Sequence, residues 1–199
     1  MSAMRASLLL PVACGLLVAA PPSVWQWLVL DREAVLAGEA WRAWTGHLLH
    51  FTWAHAVADG VALAISSWIV EHRMGSRATW WLLLGGAPLI GLGLFVAVPD
   101  LGLYAGASGI ATLMTVVAGG LLWRADPRLR VLLVSLVFAA LIKLALDAGG
   151  DASWSSTLPD GVRVVWQAHT LGALLGALFL VGARERLPGR AGWRGARPQ

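Results

Sequence analysis

Charge is scarce in this chain. Only 13% of its 199 residues are Asp, Glu, Lys or Arg, against roughly 25% in soluble domains. That excludes an ordinary water-soluble globule as the body of the chain. With a single cysteine, Cys14, no internal disulfide is possible, and its place in an apolar run makes it a small packing residue. There is no internal repeat, no low-complexity linker, and no His-Glu-x-x-His pair of the kind that holds zinc on one helix face. What fills the chain is apolar: 58% of residues are hydrophobic and the mean hydropathy is +0.70.

A spanning helix needs about 20 apolar residues, and six stretches meet that need, at about 6–30, 52–70, 79–98, 104–123, 129–147 and 162–182. Val18-Ala19-Ala20 after the first run resembles a signal-peptide cleavage site, but the run continues through Val24–Leu30 and reads as a retained span. The net charge of +4 is explained by its distribution and needs no nucleic-acid partner. With the N-terminus in the cytoplasm, Arg5, Arg73, Arg77, Arg124, Arg128, Arg130, Arg184, Arg186, Arg190, Arg194 and Arg197 all face inward. That is eleven of fifteen basic residues. Asp31, Glu33, Glu39, Asp100, Asp147, Asp151 and Asp160 lean outward. The positive-inside rule thus gives six spans with both termini cytoplasmic, and Trp25, Trp27, Trp41, Trp44, Trp80, Trp123 and Trp166 fall near span ends, where indole rings settle. The expected fold class is an all-α bundle of six transmembrane helices. Its membrane domain covers residues 1–183, followed by a basic, disordered, lipid-facing tail over 184–199. The connection 31–51 mixes Trp41, Trp44, Leu48, Leu49 and Phe51 with polar residues, which suits a structure lying in the membrane interface.

Polar groups inside apolar stretches are costly unless partnered, so they are functional candidates. Gly106-Ala107-Ser108-Gly109 opens the fourth stretch, and Ala168-His169 lies at a similar depth in the sixth. A helix starting near Ser108 would offer free N–H groups and a positive dipole end, suited to an oxyanion formed by attack of the serine. Gly106 and Gly109 permit a tight turn and close approach of a substrate backbone. His169, Gly172 and Gly176 share one helix face; Ser108, Thr112, Thr115 and Gly119 share another. Packing of these two small-residue faces is expected to bring the imidazole to the hydroxyl. His55 and Asp59, one turn apart with His50 just before them, are candidates for stabilising the oxyanion. A competing reading makes His47, His50, His55 and Asp59, extending to His169, a metal site.

The sequence resembles the rhomboid family of intramembrane serine proteases. Glu39-Ala40-Trp41-Arg42 looks like the Trp-Arg element of the family's first outer loop. His50-x4-His55-x3-Asp59 resembles its His-x4-His-x3-Asn element, and Glu71-His72-Arg73-Met74-Gly75 the turn after the second helix. Gly106-Ala107-Ser108-Gly109 resembles the nucleophile motif, and Ala168-His169-x2-Gly172-x3-Gly176 the helix that carries the base. Two positions depart: Asp59 replaces the usual Asn, and Thr112 stands where many members place a tyrosine. The resemblance implies a Ser108–His169 dyad, His55 and position 59 at the oxyanion, and no metal or cofactor. The partners would be membrane-anchored protein substrates in a lipid bilayer, with the active site opening to the outer, periplasmic side of a bacterial inner membrane. Within the family, Asp31-Arg32-Glu33, Gly38–Arg42 and Thr45-Gly46-His47 are similar to the rhombosortase branch, whose members process C-terminal GlyGly-CTERM segments. The alternatives are a non-catalytic rhomboid-like binding protein and a small histidine-based metal transporter.

Overall fold

Pro21 and Pro22 divide the first apolar stretch. A residue before proline is pushed to extended backbone, and Pro21 sits at φ −62°, ψ 152°. Helix α1 (Ala6–Val18) therefore stops short, and α2 (Pro22–Leu28) restarts with proline at its first position, where a missing N–H is harmless. The single span expected over 6–30 is thus two helices. The structure, a computed structural model, describes residues 5–149 and 164–183. The expected tail over 184–199, and Asp151, Asp160 and Arg163 of the last outer loop, lie outside the described residues.

After α2 come the short helices α3 (Arg32–Leu36) and α4 (Arg42–Thr45), then a 3₁₀ turn over Gly46–Leu48. The long helices follow: α5 (Trp53–Met74), α6 (Ser76–Ala97), α7 (Ser108–Ala125), α8 (Arg130–Ala148) and α9 (Trp166–Gly182). This is an all-α membrane architecture. Among the described residues four helical segments are long and apolar enough to cross a bilayer: Trp53–Met74, Ser76–Ala97, Ser108–Ala125 and Pro127–Ala148; α1 and α9 are shorter apolar helices. One small ladder was not expected. Leu30–Asp31 pairs antiparallel with Leu103–Tyr104, Leu30 opposite Tyr104. It ties the first loop to the approach of α7, which begins at Ser108, where the sequence places its start.

The core runs along α7, where Ile110, Met114, Val117 and Leu121 are buried beside Leu63 and Val70 of α5 and Leu83, Ile90 and Leu94 of α6. Glu71, near the C-terminal end of α5, pins one end of the bundle. Its carboxylate accepts from the Ala6 and Ser7 N–H groups and from the Ser7 and Ser76 hydroxyls, capping the start of α1 and binding it to α5 and α6. Arg42, buried, holds the first loop: its guanidinium donates to the Glu39 carboxylate at 2.6 Å and to the Gln26 and Val29 carbonyls at 2.6 and 2.9 Å.

Candidate active site

The turn into α7 is held from three sides. Gly106 has φ +140°, a conformation that disfavours any side chain. Its N–H donates to the Gly46 carbonyl at 3.2 Å. Its own carbonyl accepts from the Tyr104 hydroxyl at 2.9 Å and faces His47 Nδ1 at 3.2 Å. The Ala107 N–H points at His50 Nε2, 3.3 Å away. Ser108 is therefore the first residue of α7, half-buried, at the end of a fully anchored turn. The N–H groups of that first turn have no partner within the helix.

His169 is the fourth residue of α9 and half-buried. It reaches the same end of the bundle because α7 and α9 meet almost backbone to backbone. A Cβ added to Gly172 would collide with the Gly109 carbonyl, and one added to Gly109 would lie 3.1 Å from the Ala168 carbonyl. Ser108 and His169 are thus the chain neighbours of the two residues, Gly109 and Ala168, that touch at this seam. The seam itself departs from the expected faces. Gly172 and Gly176 pack on Gly109, Leu113 and Val116, and Gly120 meets Leu180, one residue on from the expected Ser108, Thr112, Thr115 and Gly119. Thr115 is exposed, and the Thr112 hydroxyl donates to the Ser108 carbonyl at 2.8 Å. The physical reason is that Gly109 lacks a Cβ, so the helices close on it and leave Ser108 at the edge of the contact.

His50, His55 and Asp59 meet beside this turn. Asp59 Oδ2 lies 3.1 Å from His50 Nε2 and 3.4 Å from His55 Nε2. The two rings stand edge to face at 4.9 Å, and Phe51 stacks on His55. Thr52 caps α5 by accepting from the His55 N–H, which fixes His55 at the start of its helix. Of the five residues in the metal reading, these three alone cluster. His47 is used elsewhere: fully buried, it also faces the Ala87 carbonyl through Nε2 at 2.9 Å. Burial pushes its pKa down to about 4, outweighing the two carbonyls that favour the imidazolium.

Two residues of this region, Tyr104 and Asp147, are not singled out as site residues by the sequence, and His47 enters there only as a candidate metal ligand. Tyr104 is buried, its hydroxyl on Gly106; burial raises its pKa, so it stays a neutral donor. His47 supports the same carbonyl. Asp147, near the C-terminal end of α8, places Oδ2 3.9 Å from His169 Nδ1, while the same oxygen accepts from Lys143 at 2.6 Å. Asp147 is the one buried residue of α8, and its Oδ1 has no hydrogen-bond partner. The sequence shows Asp147 as an outward-leaning carboxylate at the end of an apolar run, a signal that does not by itself reveal its burial beside His169.

Residues 37–186 match the Rhomboid domain family. No curated protein matches the chain.

Proposed function

The chain belongs to the rhomboid family of intramembrane proteases, and from that premise we propose that it is a serine endopeptidase in which Ser108 is the nucleophile and His169 its base. The observation that supports the reading is the Gly109–Ala168–Gly172 contact, which joins the chain neighbours of the two residues at matching ends of parallel helices, while Gly106, two residues before Ser108, lies against His55 and Asp59. Ser108 Oγ attacks the scissile carbonyl as His169 Nε2 takes its proton. His169 then returns the proton to the leaving amine, and a water repeats the sequence on the acyl-enzyme. The Ser108 N–H and His55 donate to the tetrahedral oxyanion. Asp59, which only accepts when ionised, lies 3.4 Å from His55 Nε2 and acts through His55 by orienting its ring. Gly106 leaves space for the substrate: a Cβ there would stand 3.3 Å from the His55 ring.

The charge distribution supports six crossings with both termini in the cytoplasm and a site opening to the outer face. With the first-loop resemblance to rhombosortases, it favours membrane-anchored substrates cut near the outward end of a helix, where Gly-Gly exposes the backbone. Fluorophosphonate labelling of the full chain in detergent tests the nucleophile. Wild type should label, and Ser108→Ala and His169→Ala should not. Equal labelling of Ser108→Ala would overturn the assignment. For the substrate, replacing Gly-Gly by Leu-Leu in a GlyGly-CTERM protein should stop processing, and equal cleavage of both would reject that substrate class.

A further inference from the structure

We propose that His50, His55 and Asp59 bind a zinc-class divalent cation, and that its occupancy switches off the proteolysis proposed above. The binding half stands on its own geometry; the switching half rests on the Ser108–His169 reading.

All three ligating atoms lie within 4.8 Å of one another. Metal–nitrogen and metal–oxygen bonds of about 2.0–2.1 Å at tetrahedral angles set ligand atoms about 3.3 Å apart. The two separations to Asp59 Oδ2 are 3.1 and 3.4 Å, so a small adjustment of side chains accommodates the ion. His55 and Asp59 are one turn apart on a capped helix, and His50 is buried in the preceding turn. Two imidazoles and one carboxylate suit zinc, cobalt or nickel, whereas calcium and magnesium prefer all-oxygen sites. Three protein ligands leave a fourth position, and Gly106 leaves room beside His55 Nε2 and Asp59 Oδ2, 3.3 and 3.6 Å from where its Cβ would be.

His50 Nε2 faces incompatible neighbours. It lies 3.3 Å from a donor, the Ala107 N–H, and 3.1 Å from an acceptor, the Asp59 carboxylate. One protonation state cannot suit both. A cation takes the Nε2 lone pair and the carboxylate together. It also displaces the long Ala107 N–H contact that helps hold the turn before Ser108, and it engages the His55 nitrogen that would donate to the oxyanion. Either effect disables hydrolysis. His50 Nδ1 and His55 Nδ1 are buried without a partner. Ligating histidines normally donate that N–H to an acceptor, whose loss costs about 10–100-fold in affinity. The site is therefore weaker than a structural zinc site, which suits reversible occupancy.

The test uses the purified full chain in detergent with Co²⁺, followed by its visible d–d absorption, and with Zn²⁺, followed by thermal melting. Wild type and Ser108→Ala should each bind one equivalent and gain melting temperature with Zn²⁺. Asp59→Asn and His55→Ala, shown to be folded by their own cooperative melts, should bind at least about tenfold more weakly. No binding by wild type, or equal binding by those variants, would overturn the site. Zn²⁺ should inhibit cleavage by wild type and EDTA should restore it. Full cleavage at saturating Zn²⁺ would overturn the switch. Binding by a chain that cleaves nothing and resists fluorophosphonate would leave the site standing and defeat the protease reading.

Discussion

Asp147 presents a carboxylate to the far nitrogen of His169 without bonding it: Oδ2 is 3.9 Å away and engaged by Lys143, while Oδ1 has no partner. A modest rotation gives Nδ1–H an acceptor and leaves Nε2 unprotonated, the tautomer the proposed base requires. Asp147→Asn would instead offer an amide donor and favour the other tautomer. Its kcat should fall about 10–100-fold with KM little changed, because the loss falls on proton transfer and not on substrate binding. Unchanged kcat would show that Asp147 serves only to anchor Lys143. His47 makes a second residue-scale prediction. Its ordinary pKa of 6.5 falls to about 4 in the fold, so between those values the unfolded chain binds a proton that the folded chain does not. Stability should therefore drop as pH falls from about 6.5 to 4, by about 3 kcal/mol, with no further loss from this group below 4. Thermal melts across that range should show the slope, and His47→Gln should flatten it. Ser108 and His169 stand out in the sequence as candidates because a hydroxyl and an imidazole are conspicuous in hydrocarbon. The roles of His47 and Tyr104 do not, since their partners are backbone carbonyls that only the folded chain brings near.

The seam between α7 and α9 carries the element-scale argument. Small residues at 172 and 176 announce a close helix contact, but the partner face lies one residue on from the expected one, because the pattern of Ser, Thr and Gly on α7 does not reveal which of two adjacent stripes lacks a Cβ where it matters. Gly172→Ala puts a methyl against the Gly109 carbonyl. Overpacking of this kind costs about 1–3 kcal/mol, and here it also moves His169 away from Ser108. Displacements of about 1 Å can cost about 100-fold in rate. Cleavage should therefore fall far more than a melt of the same variant would suggest. Gly85→Ala, with nothing within 4 Å of its new Cβ, is the control and should leave both unchanged. Equal effects of the two substitutions would mean that the close contact does not set the dyad. Helix ends were harder to read than helices. Pro21-Pro22 split the first stretch, and Leu30–Asp31 pairs with Leu103–Tyr104 just before α7. The first is a local signal given too little weight; the second is a long-range pairing that no periodicity shows.

Across the molecule, every candidate site residue lies at one end of the bundle: His55 near the start of α5, Ser108 and His169 in the first turns of α7 and α9, Asp147 at the close of α8. Glu71 joins α1, α5 and α6 at the other end. Between them α8 turns Val131, Leu132, Val134, Leu136, Val137, Phe138 and Leu141 outward, and all are exposed. In a single chain such a surface is covered by lipid. The basic residues Arg73, Arg77, Arg124, Arg128 and Arg130 gather at the end opposite the site, so the topology proposed above from the positive-inside rule would have that end in the cytoplasm and the site outward. Cysteines introduced at the exposed positions Glu33 and Arg128, in a chain carrying Cys14→Ala, test this with a membrane-impermeant maleimide. In intact spheroplasts Glu33→Cys should label and Arg128→Cys should not; in inverted vesicles the result should reverse. Labelling of both from one side would overturn the crossing count between them. A complete inversion would keep the bundle but move the proposed site to the cytoplasmic face, where a segment anchored on the outer side of the membrane would be out of its reach.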